Sequence, residues 1–472
     1  MAAAPAQEGK FTKGSTMRHV VVMTATSSVG LVSVFFVDAL NLFYISLLGQ
    51  QQLAAAIGYA STIMFFSISI CIGISIAASA VVAKAIGAKD PVLAGKQASA
   101  ALIYGLAITT LLALFLFPAV RPLLSLLGAQ GETLDMAQSF MWIIIPSIPL
   151  LGGGIVLAAL LRAKGDARRA MFVTLSGGMT ALVVDPLLIF GLDLGLTGAA
   201  IAVIIARAVL VIVGLHGVMR VHKMLAVPDA TSLRAAIRPL LTIATPAILT
   251  QLATPVGNSY VTYAMSEFGD DAVAGWAIVG RILPVAFGTI FALTGAVGPI
   301  LSQNYGARLF PRIAQALRDA FVFVFIYCVA IWLLLALSRN GLVWLFGATG
   351  DAASLVQVFC LIVAGSFLFN GMLFVSNAVF NNLGYPFFAT LFNWGRATLG
   401  IVPFVLIGQA WGAEGVMIGW GAGGIFFGIA AAATTFWVVR RLPHRDDGPP
   451  SGRDVVPTSH SPFTSGRAAS LR

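Results

Sequence analysis

Long apolar segments recur through most of the chain, and they restrict its fold more than any other feature. Twelve such windows can be marked, at 18–46, 53–84, 93–119, 134–162, 167–191, 196–220, 238–265, 273–303, 313–338, 352–382, 387–409 and 413–440. At about 1.5 Å per residue, a helix of about 20 residues crosses a hydrocarbon core of about 30 Å. Only 10% of the 472 residues are charged, whereas about a quarter are charged in a soluble domain. The sequence predicts an all-α integral membrane protein with twelve transmembrane helices.

Lysine and arginine are distributed unevenly between the segments that join these windows. If the N-terminus is cytoplasmic, the cytoplasmic loops and their margins hold Lys84, Lys89, Lys96, Arg162, Lys164, Arg168, Arg169, Arg220, Lys223, Arg234, Arg238, Arg308, Arg312 and Arg318. The outer loops and their margins hold only Arg121 and Arg339. The positive-inside rule therefore predicts a multi-pass protein of the cell membrane, expected to be the bacterial inner membrane, with both termini cytoplasmic. The net charge of +10 reflects this topology, and no nucleic-acid partner is expected.

The two halves of the chain repeat one another. Five pairs of glycines or prolines recur at offsets of 217 to 220 residues: Gly49 and Gly269, Gly87 and Gly306, Gly165 and Gly384, Pro186 and Pro403, and Gly198 and Gly415. Each repeat holds an even number of windows, so both halves enter the membrane from the same side. The predicted architecture is therefore two six-helix lobes related by a parallel repeat.

The predicted division of the chain follows from this repeat. Residues 1–17 form a cytoplasmic tail, 18–220 the N-terminal lobe, 221–237 a cytoplasmic linker and 238–440 the C-terminal lobe. Residues 441–472 are rich in Pro, Ser, Gly and Arg and are predicted to be a disordered cytoplasmic tail. The three cysteines and five histidines show no metal-ligand spacing, so neither a metal centre nor a cofactor is expected.

Two aspartates, Asp38 and Asp185, lie deep inside predicted spans. An ionised side chain at that depth costs at least about 2.5 to 3.5 kcal/mol, so each needs a compensating role. Both lie in the outer half of the first lobe, and the repeat places Asn258 and Val402 at the corresponding positions of the second. The pattern predicts a site for a proton or a metal ion in the first lobe alone. Hydrogen bonding to a helix end, or pairing with a base such as Arg207, is the alternative interpretation.

Other polar residues within the spans allow two interpretations each. Arg207 lies near the middle of the sixth span, where it can neutralise one of the acids or hold helix carbonyl groups. Arg281 and Arg396 are the other arginines well within spans. The candidates to line a substrate cavity are Asn258, Asn370 and Asn377. Asparagines also join membrane helices through hydrogen bonds, so a purely structural role stays open for them.

Several segments carry a resemblance to a known transporter family. They are "LLGQQQLAAAIGYA", "SAVVAKAIGAKD", "DPLLIFGLDLGLTGAAIA", "FGDDAVAGWAIVGRI" and "SQNYGARLFPRIAQALRDA". Over residues 18–440 the chain resembles the multidrug and toxic compound extrusion (MATE) family, and it looks more like the branch of DNA-damage-inducible efflux proteins than the branch of sodium-driven norfloxacin exporters. The resemblance implies a V-shaped, cofactor-free molecule whose central cavity opens alternately to either side as a cation binds. It also implies drug-like small molecules as substrates and a monomer in the lipid bilayer.

The resemblance points to a coupling site as well. In that branch the cation binds at an aspartate of the first helix and at an aspartate four residues beyond an asparagine of the fifth. Asp185 matches the second position, whereas Asn41 stands at the first, with Asp38 one turn earlier on the same helix face. Ala181 and Val203 replace the asparagine and the threonine that are usual in the family. Because a Na⁺ site needs several oxygen ligands and a proton needs only the carboxylate, proton coupling is predicted, with Na⁺ coupling as the alternative.

The predicted function is a secondary active multidrug efflux antiporter that exports bulky amphipathic compounds, expected to be cationic, in exchange for protons. The alternatives are a Na⁺-coupled antiporter and a flippase of lipid-linked precursors from the related superfamily. A flippase needs a basic cavity for phosphates, whereas the acids of the first lobe predict an acidic one. An intramembrane enzyme would need a nucleophile with its base, or metal ligands, at membrane depth. The sequence shows no such set, so no enzymatic activity is expected.

Overall fold

A computed structural model describes residues 9–46 and 51–444, apart from the side chains of 35–43, 45–46, 51–52, 54 and 444. Most of each predicted tail, residues 1–8 and 445–472, lies outside this description. Within it the chain forms twelve long helices and no β-strand: α1 (Thr16–Ser46), α2 (Gln51–Gly87), α3 (Pro91–Leu126), α4 (Gly131–Lys164), α5 (Ala167–Gly191), α6 (Gly195–Val221), α7 (Ala230–Ser266), α8 (Asp270–Gly306), α9 (Phe310–Leu345), α10 (Gly350–Leu361 and Val363–Asn382), α11 (Pro386–Gly395, Arg396–Gly400 and Ile401–Gly408) and α12 (Gly412–Arg441).

The helices have the length and composition of membrane spans. Eleven stretches of described residues are long and apolar enough to cross a membrane, and the last of them, Pro386–Arg441, contains both α11 and α12. A lipid environment favours this class of structure, because each helix satisfies its own backbone hydrogen bonds. The predicted all-α membrane fold is confirmed.

Acidic residues cap three helices that begin at the face holding the N-terminal segment, which we call the terminal face. Asp90 accepts a hydrogen bond from the Leu93 amide (2.8 Å) at the start of α3, and Asp166 accepts one from the Arg169 amide (3.1 Å) at α5. Asp229 caps α7 in the same way. Each carboxylate satisfies an amide that has no partner within its helix and complements the positive end of the helix dipole. These caps fix where the helices begin at this face.

Three helices are interrupted near proline. α4 contains a proline-bearing 3₁₀ turn at Ile145–Ser147. α5 passes into a π turn, Leu187–Gly191, directly after Pro186. α11 has a π turn, Arg396–Gly400, shortly before Pro403. Because proline lacks a backbone donor and crowds the preceding turn, tighter or wider turns form beside it. These two π turns occupy corresponding helices of the repeat, and a third, His216–Val221, ends α6.

Helices α1–α6 form the N-terminal lobe and α7–α12 the C-terminal lobe, and the lobes meet along α1, α2, α7 and α8. At the terminal face α2 and α8 cross closely. A methyl group on Gly87 would lie 2.0 Å from the Gln303 carbonyl oxygen, and one on Gly306 would lie 2.0 Å from that of Lys84. Lys84 and Gln303 are 219 residues apart, as are Gly87 and Gly306. The two contacts are therefore related by the parallel repeat, about a pseudo-twofold axis along the membrane normal.

The segment that precedes α1 packs between the lobes at the terminal face. Phe11 is buried, and its amide donates to Gln303 Oε1 at 3.0 Å. The Phe11 carbonyl accepts from Arg312 Nη2 at 3.0 Å, in the C-terminal lobe. Lys10 Nζ donates to the Gly165 carbonyl at 2.8 Å, in the N-terminal lobe. Further hydrogen bonds at this face join residues of the two lobes, among them the one from Gln303 Nε2 to the Ala163 carbonyl at 2.7 Å.

Candidate cation site and a second polar site

Asp185 is a carboxylate enclosed by the helices of the N-terminal lobe. Its side chain is 1% exposed, and it lies in the last turn of α5 before Pro186 and the π turn. α5 packs against α1 and α6. Gly198 of α6 allows the close approach, because a methyl group there would lie 2.7 Å from the Leu188 carbonyl oxygen. Asp185 is thus buried within the lobe, whereas its role at a cation site stays a prediction.

The register of α1 against α5 defines which part of α1 lies beside Asp185. Gly30 of α1 contacts α5, since a methyl group on it would lie 2.2 Å from Thr174 Oγ1. Further along, the rings of Tyr44 and Phe190 are in edge contact, with centroids 6.2 Å apart. The two helices run in the same direction between these contacts. Positions 38–41 of α1 therefore lie near the level of Asp185.

Asp38 and Asn41 are placed by the backbone alone, because their side chains lie outside the described residues. Asn41 follows Gly30 by eleven residues, as Asp185 follows Thr174. At about 1.5 Å per residue, Asn41 and Asp185 reach the same level, with Asp38 about one turn nearer the terminal face. The participation of Asp38 and Asn41 in a cation site stays a prediction.

The positions where the family usually has neutral oxygen ligands are apolar here. Ala181 lies one turn before Asp185 on α5 and is buried. Val203 of α6 packs against the apolar core of the lobe. Neither side chain supplies an oxygen. A metal ion at Asp185 would therefore depend on carboxylates, backbone carbonyls and water for its ligands.

The side chain of Arg207 donates hydrogen bonds to the 3₁₀ turn that interrupts α4. Its Nη1 donates to Ser147 Oγ at 2.7 Å and to the Ile144 carbonyl at 3.4 Å. Among the described residues it forms no ion pair with an acid. In this conformation Arg207 holds polar groups of the 3₁₀ turn, so its predicted pairing with Asp38 or Asp185 stays a prediction.

The predicted cavity asparagines of the C-terminal lobe are buried between helices. Asn393 Nδ2 of α11 donates to Asn377 Oδ1 of α10 at 2.8 Å. Asn370 is 8% exposed and packs against Gly424 of α12. Asn258, on α7, is half-buried. The observed contacts of Asn370 and Asn377 join helices, whereas contact with a substrate stays a prediction for all three.

The structure reveals one polar group to which the sequence assigned no role. Arg396 begins the π turn of α11, is 8% exposed, and donates from Nη2 to Thr254 Oγ1 of α7 at 3.0 Å. Its Nε is buried without a hydrogen-bond partner. The signal available in the sequence was an arginine inside a predicted span, but its partner on α7 could not be deduced from spacing.

Comparison with known proteins identifies the family. The sequence profile described as MatE matches residues 25–187 and 246–414, one segment in each lobe. The chain belongs to the MatE family. An FAD transporter of Shewanella oneidensis is 27% identical to this MatE chain over 404 residues, which cover 83% of the chain and 88% of the relative. The multidrug export protein MepA of Staphylococcus haemolyticus is 23% identical over 412 residues, covering 86% and 90%.

Solved structures share the fold of this MatE chain. A mutant of the Vibrio cholerae MATE transporter VcmN has a TM-score of 0.86 at 26% identity, over 91% of this chain and 99% of that one. A MATE structure in complex with MaL6 has a TM-score of 0.86 at 20% identity, over 93% and 100%, and supports the fold alone. These matches confirm the predicted two-lobe, twelve-helix fold. Because the family and these relatives are transporters, they also confirm the prediction of a transporter rather than an enzyme.

Proposed function

We propose that this MatE protein is an efflux antiporter that exports bulky amphipathic organic compounds in exchange for protons. The observation that carries the proposal is the buried carboxylate of Asp185, beside the part of α1 that contains Asp38 and Asn41. A carboxylate needs no further ligand to hold a proton, whereas Ala181 and Val203 provide no oxygen for Na⁺. Proton binding and release at Asp185, as its access alternates between the two sides, couples the gradient to export.

In this proposal the terminal face is cytoplasmic, in the inner membrane of a bacterium, and the chain works as a monomer. The positive-inside distribution of lysine and arginine supports this orientation. The crossing of Gly87 and Gly306 and the packing of Phe11 then close the cytoplasmic side. The conformation corresponds to an outward-facing state. Access from the cytoplasm requires those contacts to separate.

The substrates bind between the lobes. α7 lies at the lobe boundary, where Gly73 of α2 packs closely on Ile248, and Asn258 lies further along the same helix. Multidrug export by the relatives named MepA supports a substrate class of bulky organic compounds. Asn258 is the residue proposed to line the substrate cavity. Asn370 and Asn377 are buried between helices of the C-terminal lobe and are proposed to support the cavity wall.

The test is transport in proteoliposomes that hold the full-length chain, with a pH gradient and a Na⁺ gradient imposed separately. Wild-type uptake of a fluorescent amphipathic compound should follow the pH gradient and persist when choline replaces Na⁺. Asp185→Asn should reduce this coupled uptake to background, because it removes the titratable group and keeps the shape of the side chain.

Matched variants locate the site within the molecule. Asp38→Asn should remove the dependence of uptake on the pH gradient. Asn258→Ala, at the corresponding position of the second lobe, should keep that dependence, although loss of a proposed cavity residue lowers the apparent affinity for the substrate. Equal loss of the dependence in both variants would contradict a cation site confined to the first lobe. Uptake that stops on removal of Na⁺ and survives collapse of the pH gradient would replace proton coupling by Na⁺ coupling.

A further inference from the structure

Arg396 is a guanidinium buried near the middle of the C-terminal lobe. It lies ten residues beyond Pro386, the start of α11, or about 15 Å along the helix, which is half of a hydrocarbon core of about 30 Å. Its one hydrogen bond joins Nη2 to Thr254 Oγ1, and Nε has no partner. A cation is costly at that depth, and intramembrane charges mark functional sites more often than packing sites. The unused donors of Arg396 therefore suggest a ligand.

No acid compensates this charge within the described residues. None of their ion pairs includes Arg396. The described acids of the C-terminal lobe are Glu267, Asp270, Asp271, Asp319, Asp351 and Glu414. All lie at or near helix ends except Asp319, which is well inside α9 and accepts a hydrogen bond from Thr16 of α1. The hydrogen-bond partner of Arg396, Thr254, is neutral, and so is Asn393, which lies one turn earlier on α11 and bonds to Asn377. These neighbours can orient a ligand by hydrogen bonds, but they supply no negative charge.

The corresponding helices of the two lobes carry opposite charges. α5 and α11 are related by the repeat, which aligns Pro186 with Pro403, and each contains a π turn. π turns occur frequently at functional sites, because they redirect side chains out of the regular helical register. Asp185 precedes the π turn of α5, whereas Arg396 begins the π turn of α11. A buried acid thus adjoins the π turn of the N-terminal lobe, and a buried arginine begins that of the C-terminal lobe.

We propose that Arg396 binds an anionic group, a carboxylate or a phosphate, on the transported compound. A planar guanidinium with several free N–H donors matches the paired oxygens of such groups, and Thr254 holds it from one side. This inference rests on the proposed efflux function and narrows its substrates to amphipathic molecules that carry a negative charge. The substrates inferred here are anionic, whereas the sequence predicted cationic ones.

The test compares two flavins that share one aromatic ring system, FMN, which carries a phosphate, and riboflavin, which is uncharged. Equilibrium binding of each to the purified full-length chain in nanodiscs is followed by fluorescence, without any ion gradient. The wild type should bind FMN at least about tenfold more tightly than riboflavin, as expected for a charge-assisted pair. Arg396→Gln should abolish this preference while riboflavin binding changes little, and Arg396→Lys should keep part of it. Arg207→Gln, which removes the buried arginine of the other lobe, should leave the preference unchanged.

Several outcomes would overturn the proposal. A wild type without preference for FMN contradicts it directly, whether or not any variant folds. An equal preference in wild type and Arg396→Gln, with both melting normally, would show that Arg396 only supports the π turn. Because binding is measured without a gradient, a failure here differs from a failure of proton coupling, which appears only in the transport assay of Asp185→Asn.

Discussion

Gly87 and Gly306 pack against each other's helices at equivalent points, each facing the backbone carbonyl three residues before the other. The contact leaves no room for a side chain, because a methyl group on either glycine would lie 2.0 Å from an oxygen. The glycines therefore allow α2 and α8 to cross at a distance that no other residue permits. Closure of the terminal face depends on this pair.

Gly87→Ala should separate α2 from α8 and shift the protein toward a conformation that is open at the terminal face. Spin labels at positions 89 and 308 report this change, because Lys89 and Arg308 are exposed and correspond in the repeat. The three native cysteines are buried, which favours labelling at the introduced sites. The distance between the labels should increase in Gly87→Ala. A distance distribution identical to that of the wild type would contradict the proposed closure.

Matched controls for this substitution lie on the same two helices. Gly58 of α2 and Gly280 of α8 have no atom within 4 Å of the position of an added methyl group. Gly58→Ala and Gly280→Ala should leave the distance between the labels unchanged. A shift as large as that of Gly87→Ala in either control would assign the effect to helix propensity rather than to the crossing.

The coupling ion should change when oxygen ligands are restored beside Asp185. Ala181→Asn combined with Val203→Thr would add two neutral side-chain oxygens near a carboxylate, as a Na⁺ site requires. Transport by this variant should become sensitive to Na⁺, whereas that of the wild type should not. The measurement is initial uptake in proteoliposomes at constant pH gradient, with Na⁺ varied against choline. Na⁺ sensitivity of the wild type itself would show that other groups already complete a metal site.

Arg207 and Ser147 should prove energetically coupled. Arg207→Met leaves Ser147 Oγ without this donor, and Ser147→Ala leaves Arg207 Nη1 without this acceptor, so each should lower stability by about 1 to 3 kcal/mol. The double variant should lose less than the sum of the two, because both substitutions remove the same hydrogen bond. Thermal unfolding in detergent measures all three. Strict additivity would mean that Arg207 stabilises the lobe by another contact.

The ionised carboxylate of Asp166 should stabilise the terminal face, and acid should remove this stabilisation. Partial burial raises the pKa of Asp166, but hydrogen bonds from Arg169 and His222 outweigh it and hold the pKa below the usual 3.8. A group with a depressed folded-state pKa stabilises the fold above its unfolded value and loses this effect as the pH falls through the folded value. Asp166→Asn should lower stability near neutral pH by less than about 1 kcal/mol, since these pairs are partly exposed.

The pH profile of unfolding separates this charge effect from the helix cap. Asparagine also caps a helix, so the difference between wild type and Asp166→Asn isolates the contribution of the charge. That difference should stay constant at neutral pH and shrink below pH 3.8. A difference that does not vary with pH would assign the effect to packing.

Much of the fold could be predicted from the sequence, because few structures satisfy all backbone hydrogen bonds inside a lipid bilayer. The apolar windows and the offset between Gly87 and Gly306 were enough to indicate helices in two parallel halves. The helices run beyond the windows, as in α2, which continues to Gly87 from a window that ends at 84. A hydropathy window marks only the apolar part of a helix, which lies in the hydrocarbon core. The helix itself continues into the polar interface for as long as its backbone hydrogen bonds continue.

The polar sites were less predictable, because their partners are distant in sequence. The burial of Asp185 follows from its apolar surroundings on one helix. Arg207 contacts Ser147 only because α4 breaks there, and Arg396 meets Thr254 across 142 residues. No local pattern encodes such pairs. They depend on how far each helix is rotated and shifted against its neighbour.

The position of Phe11 between the lobes has a consequence for biosynthesis. Phe11 is made at the start of translation, but its partners Gln303 and Arg312 follow 292 and 301 residues later. The nascent chain therefore inserts the whole N-terminal lobe before α8 and α9 exist to receive this segment. Its docking belongs to the late steps of assembly, after the C-terminal lobe has entered the membrane. A bulky fusion placed directly before residue 9 should hinder this docking step, whereas one placed after residue 444 should not.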